Sequence, residues 1–385
     1  MKKSFFFAAL MMVAAMFTAC NSGSTPLNDS SKLWPACDAK GERWGYMDAS
    51  GVLTITPMYD YTSDFCCGYG RAQVGSNYFF LNNNGKTSQG SIDLSGGCDE
   101  FFYYNCLRYR VNGLWGMMDQ SFDPIIQPIF TELGAMTKEG LVLARMHNSD
   151  KYGFVNRKGE FEINPTYKFA SDFVDGVAVV SVGEKCGTIN TKGEYAFTAT
   201  YDRLNNLGEG LLAFVSDKNA AKVVYGIIDT KGTVIVPEQY DYVQGFADNA
   251  LCPVCKDDKW GYIDNKGALK IGCNFYKAAP FYDGYAWIRR TADADVELIG
   301  TDGSTVMTLG EKESPVSVFH NGLCLIRVSG DKSVIYKYID AKGTMVYSWT
   351  IEYGNPAPAR VNGIEEFDIA KMFAATPYGP RFMNK

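Results

Sequence analysis

One short phrase recurs along almost the whole chain and limits the possible folds more than any other feature. In its clearest copy it reads WGYIDNKG, over residues 260–267. Aligned on the closing position, the copies lie 34 to 40 residues apart and end at Gly51, Gly85, Ser121, Gly159, Gly193, Gly232, Gly267, Gly303 and Gly343. A period of this length is typical of a chain built from repeated supersecondary units.

Each unit is predicted to contain three short strands. The phrase alternates as a strand covered on both faces, and its Asp264 and Gly267 fit a hairpin turn that needs a backbone acceptor and a positive φ. A second strand follows and ends at a proline in several units, namely Pro57, Pro128, Pro165 and Pro237. A Tyr-Asp connector then leads to a third, alternating strand that often begins with glycine. Short strands with regular turns indicate an all-β chain of antiparallel meanders.

These features together resemble a known family. The Trp-Gly-Tyr-Ile-Asp phrase, the Pro-x-Tyr-Asp connector and the Gly-x-Ala-x-Val strand are similar to the bacterial WG (or KWG) β-repeat family. The resemblance implies an exported or scaffold-like repeat protein. It supplies no shared catalytic residues, so none is carried over to this chain.

Two architectures fit nine such units. Propellers usually have four to eight blades of four strands, at roughly forty residues or more per blade. Nine units of three strands exceed that number and are short for a blade. We therefore expect an open, solenoid-like array of β-meanders over residues 33–352, with a closed β-propeller as the alternative.

The two ends depart from the repeat. Lys2 and Lys3 precede an apolar run that ends in Phe-Thr-Ala-Cys at Cys20, which resembles a bacterial lipobox. We expect a lipoprotein signal peptide over residues 1–20, lipidation of Cys20 and a polar tether over residues 21–32, with an ordinary secretory signal as the alternative. Residues 353–385 are predicted to cap the array, with a short amphipathic helix at 364–374.

Composition excludes some classes of function. The net charge is −6, whereas nucleic-acid-binding domains usually carry a basic stripe. Only two histidines are present, which excludes a histidine-rich metal cluster, and neither lies in a recognisable catalytic phrase. Asp293, Asp295 and Glu297 alternate like calcium ligands but lack the sharp glycine turn. We expect no metal, no cofactor and no nucleic-acid partner.

Eleven cysteines include Cys20, and the other ten do not follow the repeat. Cys252 and Cys255 have the C-x-x-C spacing of redox and zinc sites. They lie in a predicted strand, where positions three apart point to opposite faces, so we interpret them as buried strand residues.

One feature outside the family phrase suggests a binding site. Arginine recurs five positions past the start of the third strand in four units, at Arg110, Arg145, Arg289 and Arg327. The first interpretation is an ion pair between each arginine and a connector acid; the second is a basic ladder for an acidic ligand. Trp287 is off the register of the other tryptophans and is the expected exposed aromatic.

The sequence therefore predicts a non-enzymatic, membrane-anchored scaffold in the bacterial cell envelope. Its lipid anchor would place it at the outer membrane, facing the periplasm or the cell surface. The partner is a protein or a glycan, and the alternative is a glycan-binding or glycan-active envelope protein.

Overall fold

The computed structural model describes residues 32–87, 94–247 and 251–352, and every regular element in these ranges is a β-strand. Within them, no helix has the length and hydropathy needed to cross a membrane. The all-β prediction is confirmed. The predicted signal peptide, residues 21–31 of the predicted tether, Cys20 and the predicted cap at 353–385 lie outside the described residues.

Thirty-one strands form eight sheets. Sheets 1 and 2 consist of β1 (Trp34–Cys37), β2 (Trp44–Met47) and β3 (Leu53–Tyr59), and of β4 (Tyr61–Thr62), β5 (Tyr69–Val74) and β6 (Asn77–Asn82). Sheet 3 has six strands, β7 (Cys106–Val111), β8 (Leu114–Asp119), β9 (Pro124–Leu133), β10 (Val142–Met146), β11 (Tyr152–Val155) and β12 (Phe161–Tyr167). Sheet 4 contains β13 (Val177–Val182), β14 (Lys185–Asn190) and β15 (Tyr195–Tyr201).

The remaining sheets have four strands each. Sheet 5 contains β16 (Arg203–Gly208), β17 (Leu211–Val215), β18 (Tyr225–Asp229) and β19 (Val234–Tyr240). Sheet 6 contains β20 (Tyr242–Val243), β21 (Cys252–Lys256), β22 (Lys259–Ile263) and β23 (Leu269–Phe275). Sheet 7 contains β24 (Lys277–Ala278), β25 (Tyr285–Arg289), β26 (Val296–Gly300) and β27 (Thr305–Thr308). Sheet 8 contains β28 (Glu313–Pro315), β29 (Cys324–Ser329), β30 (Ser333–Ile339) and β31 (Met345–Glu352).

The recurring phrase forms a central strand and its turn, as predicted. In sheet 6, a carboxylate oxygen of Asp264 accepts the backbone N–H groups of Lys266 and Ala268, each at 2.9 Å. Gly267 closes the turn with a φ of +77°, a conformation that glycine adopts without strain. The phrase therefore fixes the hairpin between the central strand and the strand that follows it in the chain, which we call the outer strand.

The glycine of the Trp-Gly pair has a different contact from the one expected. A Cβ atom on Gly261 would lie 2.5 to 2.7 Å from Ile271 O, Gly272 C and Cys273 N, which belong to the outer strand of the same sheet. The pairing register shifts here, so the outer strand forms a β-bulge against the glycine. The expected partner was a neighbouring unit; the true partner is the bulge beside it.

The same bulge accounts for the recurring proline. Pro57, Pro128, Pro165 and Pro237 lie inside the outer strands rather than at their ends. Each outer strand with such a proline shifts register opposite the glycine of its phrase. Proline is tolerated in a sheet at a bulge or an edge, because it has no N–H to donate. The prediction that proline ends the second strand is wrong for this reason.

Neighbouring units meet where the turn glycine of one packs on the outer strand of the unit before it. A Cβ atom on Gly193 would contact Ile163 at 3.4 Å, and one on Gly303 would contact Ile271 at 3.4 Å. The same relationship joins the last sheet to the first, because Gly51 packs against the backbone oxygen of Val346. The series of units therefore closes into a ring.

Further contacts hold the closure. The Trp34 indole donates to the backbone oxygen of His320 at 3.1 Å, and the Tyr347 hydroxyl donates to that of Cys37 at 2.6 Å. The rings of Trp44 and Trp349 meet edge to face, with centroids 5.4 Å apart, inside one buried cluster. These contacts bury large aromatic surfaces from both ends of the array.

The structure is thus an eight-bladed β-propeller, and the expected open array is wrong. Two features made the units look too many and too short. The strand β9 spans two units, since Phe130 pairs with both Trp115 and Met146, and this merges two of the nine units into one sheet. The connectors contribute short strands such as β20, which bring several sheets to four strands.

Candidate functional site

The four arginines of the predicted ladder occupy equivalent places at the ends of their strands. Arg110 pairs with Trp115, and Arg327 pairs with Tyr336, which holds the aromatic place of the phrase in sheet 8. Arg145 also lies beside such a residue, with its guanidinium carbon 5.6 Å from the centre of the Tyr152 ring. The common register predicted from the sequence is confirmed, and the four residues lie on sheets 3, 7 and 8.

The contacts of these arginines differ from one unit to the next. Arg145 forms an ion pair with Glu132, a connector acid that also accepts the Tyr152 hydroxyl. The hydrogen bond to Glu132 raises the pKa of Arg145. Arg110 donates from Nε to the oxygen of Gly113 at 3.1 Å, and Arg289 donates to the oxygen of Ala292 at 3.4 Å. At Arg145 the structure therefore has the connector ion pair, while binding of an acidic ligand by the four stays a prediction.

Trp287 is not the exposed aromatic that was expected. It is 1% exposed and packs against Phe319, with ring centroids 6.0 Å apart. The strand register explains the error, because Trp287 lies two residues before Arg289 on β25, at a position that faces the next sheet. A buried indole offers no face on which a sugar ring can stack, so this part of the predicted site is corrected.

A buried charge cluster lies two positions before the predicted ladder. Arg108 on β7 donates to both carboxylate oxygens of Asp99 at 2.7 Å and to the oxygen of Leu133 at 2.7 Å. Burial lowers the pKa of Arg108, but the adjacent Asp99 carboxylate outweighs burial and holds that pKa above its usual value. The hydrogen bond from Arg108 to Leu133, on β9, joins the two units of sheet 3.

Arg71 occupies the same position in sheet 2. Its guanidinium contacts Glu100 at 2.5 Å, and Glu100 also accepts the Tyr61 hydroxyl at 2.9 Å. Arg71 also lies over the Tyr78 ring, 4.8 Å from its centre. Both guanidiniums therefore bridge their own strand to the next connector, and the arrangement is that of an inter-unit clamp.

Sequence reasoning missed this cluster because the equivalent residues elsewhere are apolar, for example Leu143, Trp287 and Leu325. A signal was present. An arginine at a core position of an alternating strand needs a buried partner, and the adjacent acids Asp99 and Glu100 stand in the connector that follows Arg71. Pairing those two observations would have found the clamp.

The histidines and the acidic loop have ordinary structural surroundings. His320 Nε2 lies 3.0 Å from the Asn321 side-chain nitrogen in the turn before β29, and His147 is exposed in the turn after β10. Glu297, one of the three spaced acids, binds Arg290 at 2.8 Å and Thr305 at 2.7 Å. Among the described residues, no group of three or more His, Cys, Asp and Glu side chains is placed to hold a metal ion.

The C-x-x-C pair lies in strand β21, as predicted, and both thiols are buried. Burial raises the pKa of Cys255 to about 12 and that of Cys252 further above its usual range. The Cys252 thiol donates to the oxygen of Gln244 at 3.1 Å. Because the thiolate is the reactive form, neither residue is a nucleophile at neutral pH.

An exposed apolar residue recurs at one place on the surface, the first residue of the outer strand. We call the five examples the rim residues. Their exposed fractions run from 41% for Leu53 to 58% for Met345, and the set is Leu53, Tyr195, Val234, Leu269 and Met345. The outer strands that they begin, β3, β15, β19, β23 and β31, are all edges of their sheets.

Comparison with known proteins supports the repeat assignment. The model of the WG containing repeat matches five segments, at residues 44–78, 115–148, 152–186, 225–260 and 260–290. They coincide with the units that end at Gly51, Ser121, Gly159, Gly232 and Gly267. No curated protein matches the sequence.

Solved structures resemble the chain only in fold. A dihydro-heme d1 dehydrogenase, NirN, in complex with DHE is 12% identical over 86% of this chain and 75% of its own, with a TM-score of 0.42. Hsv2 of Kluyveromyces marxianus is 7% identical over 65% and 94%, with a TM-score of 0.38. A quinonprotein alcohol dehydrogenase-like protein of Bacteroides thetaiotaomicron is 11% identical over 74% and 82%, with a TM-score of 0.31.

Proposed function

We propose that this chain, which is a WG-repeat protein, is a non-catalytic, membrane-anchored scaffold that binds another polypeptide along its outer strands. The observation that carries the proposal is the recurrence of an exposed apolar residue at the start of the outer strand in five sheets. Large apolar side chains exposed at equivalent positions are typical of a surface that another protein covers.

The rim residues occupy equivalent positions on sheets 1, 4, 5, 6 and 8. Each turn glycine packs on the outer strand of the preceding unit, near that strand's third residue, as Gly267 does on Val236. The first residue of each outer strand is two positions away, so the rim residues follow one another along the same end of the propeller. This places a discontinuous apolar surface beside a set of sheet edges.

The chemistry of a sheet edge favours a polypeptide partner. An edge strand presents N–H and C=O groups that an extended peptide can pair with, while its side chains fit apolar pockets. Prolines interrupt β3 and β19, whereas β15, β23 and β31 contain none and keep every backbone donor. These three edges are the expected contact strands.

The buried thiols and the paired charges support the non-catalytic part. Burial keeps Cys37, Cys255 and Cys324 protonated, with pKa values of about 12. Glu100 and Asp99, in the connector between sheets 2 and 3, are paired with Arg71 and Arg108. Side chains of types that often act in catalysis therefore serve here to stabilise the fold.

One specific observation supports the alternative that the ligand is a glycan. Tyr195 and Tyr276 are 50% and 41% exposed and could stack on sugar rings, although Trp44 and Trp287 are buried. A glycan ligand would depend on these two tyrosines and not on Leu269 or Met345. The two functions therefore differ in the residues they require.

The experiment replaces rim residues and measures binding in the native membrane. A photo-crosslinking amino acid at Val234 is expected to capture a discrete polypeptide. Capture should disappear when Leu269→Ser and Met345→Ser are added, while the melting temperature stays unchanged. The matched control, Asp331→Ala with Lys332→Ala, changes two exposed residues away from the outer strands and should leave capture intact.

Two results would overturn the proposal. Capture that survives the rim substitutions would mean that the rim is not the contact surface. Binding to a glycan array that is lost in Tyr195→Ala with Tyr276→Ala would favour the glycan alternative. The anchor is tested separately, since a fatty-acid label should be present in the wild-type chain and absent from Cys20→Ala.

A further inference from the structure

A vicinal pair of cysteines lies in a turn that elsewhere in the chain is built from other residues. Cys66 and Cys67 precede β5, and the backbone groups of Cys66 and Tyr69 exchange two hydrogen bonds, of 2.8 and 3.1 Å. Both central residues, Cys67 and Gly68, have positive φ, at +56° and +85°. These are the features of the tight hairpin turn that favours Asn or Asp followed by Gly.

Four other units have a polar residue before the glycine of this turn. In these units the residue equivalent to Cys67 is Asp175, Glu209, Asp283 or Asn321, each with positive φ and each followed by glycine, whereas the turn before β7 has Tyr104 and Asn105. At two seams the carboxylate bonds across to the next unit: Asp175 accepts the N–H of Gly210, and Asp283 that of Gly322, both at 2.8 Å. Cys67 has no carboxylate to accept such a bond, and it has a positive φ, a backbone conformation that favours Asn and Asp. A residue that departs from the conformational preference of its position often has a function there.

The two sulfurs are already close. Cys66 Sγ and Cys67 Sγ are 3.4 Å apart, and both lie near the oxygen of Phe102, at 3.8 and 3.5 Å. Cys66 is 1% exposed, whereas Cys67 is half-buried. Cys67 is therefore the more exposed residue of the pair, and Cys66 is buried.

We propose that Cys66 and Cys67 are a reversible covalent modification site that closes to a disulfide with a low-molecular-mass disulfide as the oxidant. The Cys67 thiolate attacks one sulfur of the oxidant, forms a mixed disulfide and releases one thiol. Cys66 then attacks the Cys67 sulfur and releases the second thiol. The two cysteine thiols lose two electrons and two protons, and one oxidant molecule becomes two thiols.

Geometry makes this bond easy to reverse. Consecutive Cα atoms are about 3.8 Å apart across a trans peptide, whereas disulfides normally join Cα atoms about 4.4–6.8 Å apart. A disulfide across this pair is therefore strained, because the trans peptide fixes the Cα separation whatever φ and ψ the turn adopts. Part of the strain can pass into the backbone of the turn, where Gly68 tolerates a wide range of φ and ψ. Strained disulfides are the readily reduced ones.

The turn is also bonded to the next sheet. The Gln120 side chain donates to the oxygen of Cys67 at 3.0 Å, and the Tyr69 hydroxyl donates to the oxygen of Gln120 at 3.2 Å. Reorienting the peptide after Cys67 would break the first of these bonds. We expect oxidation to loosen the seam between sheets 2 and 3.

The chain permits a direct test, because trypsin releases residues 44–71 as one peptide that contains these two cysteines and no others. The folded full-length protein is treated with oxidised glutathione, denatured, alkylated and digested. The expected peptide carries no alkyl group and is about 2 Da lighter than its reduced form, and a reductant restores two alkylated cysteines. A peptide that keeps two alkyl groups, or a lasting glutathione adduct, would overturn the proposal.

Two single variants test the order of attack. Cys66→Ser should hold a lasting glutathione adduct on Cys67, because the resolving thiol is missing. Cys67→Ser should stay unmodified, because Cys66 is buried. Equal adducts on both variants would contradict the order. The wild-type peptide decides the disulfide itself even if either variant fails to fold.

Hydrogen exchange tests the structural consequence. Amides at residues 119–122 should exchange faster in the oxidised protein, while the equivalent turn at 229–232 should not change. Equal rates at 119–122 in the two forms would show that the seam does not respond to oxidation.

Discussion

The backbone nitrogen of Pro57 lies 2.7 Å from the place that a Cβ atom on Gly45 would occupy. Gly116 has the same relationship with Pro128, and Gly153 with Pro165, at 2.8 Å in both cases. The glycine of the phrase and the proline about twelve residues later therefore form one device. The glycine has no side chain to clash with the bulge. The proline can occupy the bulge because it has no backbone N–H that would be left unpaired.

The bulge contact predicts that alanine substitutions at two glycines of sheet 6 have unequal effects on the free energy of unfolding. Gly261→Ala should lower the free energy of unfolding by about 1–3 kcal/mol, because its Cβ would meet backbone atoms that cannot move aside. Gly272→Ala, in the bulge itself, should stay within about 0.5 kcal/mol of wild type, because its Cβ would meet only the end of the Asn274 side chain. Urea denaturation measures both, and equal losses would argue against the bulge contact.

The ring closure predicts which strands open together. Trp349→Ala should cost about 3–5 kcal/mol and speed hydrogen exchange in β1 and β2 as well as in β31, because Trp349 packs on Trp44 across the closure. Trp287→Ala removes an equally buried indole from an internal sheet and is the control. If both variants opened β1 and β2 alike, the closure would not be a local contact.

The two classes of arginine should differ in their contribution to stability. Arg108→Met leaves the Asp99 carboxylate buried without its bidentate partner, at a cost of about 3–5 kcal/mol, and adding Asp99→Leu should recover part of it. Arg145→Met breaks a more exposed pair and should cost at most about 1 kcal/mol. Thermal and urea unfolding compare the three variants. Similar losses for Arg108→Met and Arg145→Met would refute the clamp.

The turn aspartates predict an acid-dependent loss of stability. The hydrogen bond from the Ser50 hydroxyl lowers the pKa of Asp48, and that from Ser304 lowers the pKa of Asp302. A lowered folded pKa stabilises the fold above the ordinary aspartate value of about 3.9, and that stability is lost as pH falls through the folded pKa.

Asparagine provides the matched replacement, because the chain itself uses Asn82, Asn156 and Asn190 in this turn position with the same backbone bonds. Asp48→Asn with Asp302→Asn should be somewhat less stable than wild type at pH 7, because it lacks the two charged acceptors, and should lose less stability between pH 5 and pH 3. The free energy of unfolding measured across this range decides the matter. If the free energy of unfolding changed with pH in the same way in the variant and in wild type, these carboxylates would have no lowered pKa.

The repeat period, the strand of the phrase and its turn could all be predicted, because they depend on local patterns such as Asp264 and Gly267. The closure could not be predicted in the same way. It depends on Gly51 meeting Val346 and on Trp44 meeting Trp349, contacts between residues about three hundred positions apart with no local signature. The merging of two units likewise depends on a single long strand, β9.

The candidate site was predicted in part for a similar reason. Alternation correctly placed Arg145 and Arg327 in one register, but it could not decide which face of β25 meets the next sheet, and Trp287 was misplaced as a result. Arg108 was missed because the equivalent positions in most other units are apolar. Charge at a core position is visible in the sequence, but its partner Asp99 is identified only once the connector is placed.

The contact of Gly51 with Val346 has a topological consequence. Because the seam between the last sheet and the first is of the same kind as the other seams, the ring has no intrinsic starting blade. A circular permutant that joins the two ends of the array by a short linker, and opens instead at the exposed turn around Asp217, would keep every seam. Its blades would form in a different order during synthesis, so comparing its refolding with wild type would show whether the order of translation matters for assembly of the ring.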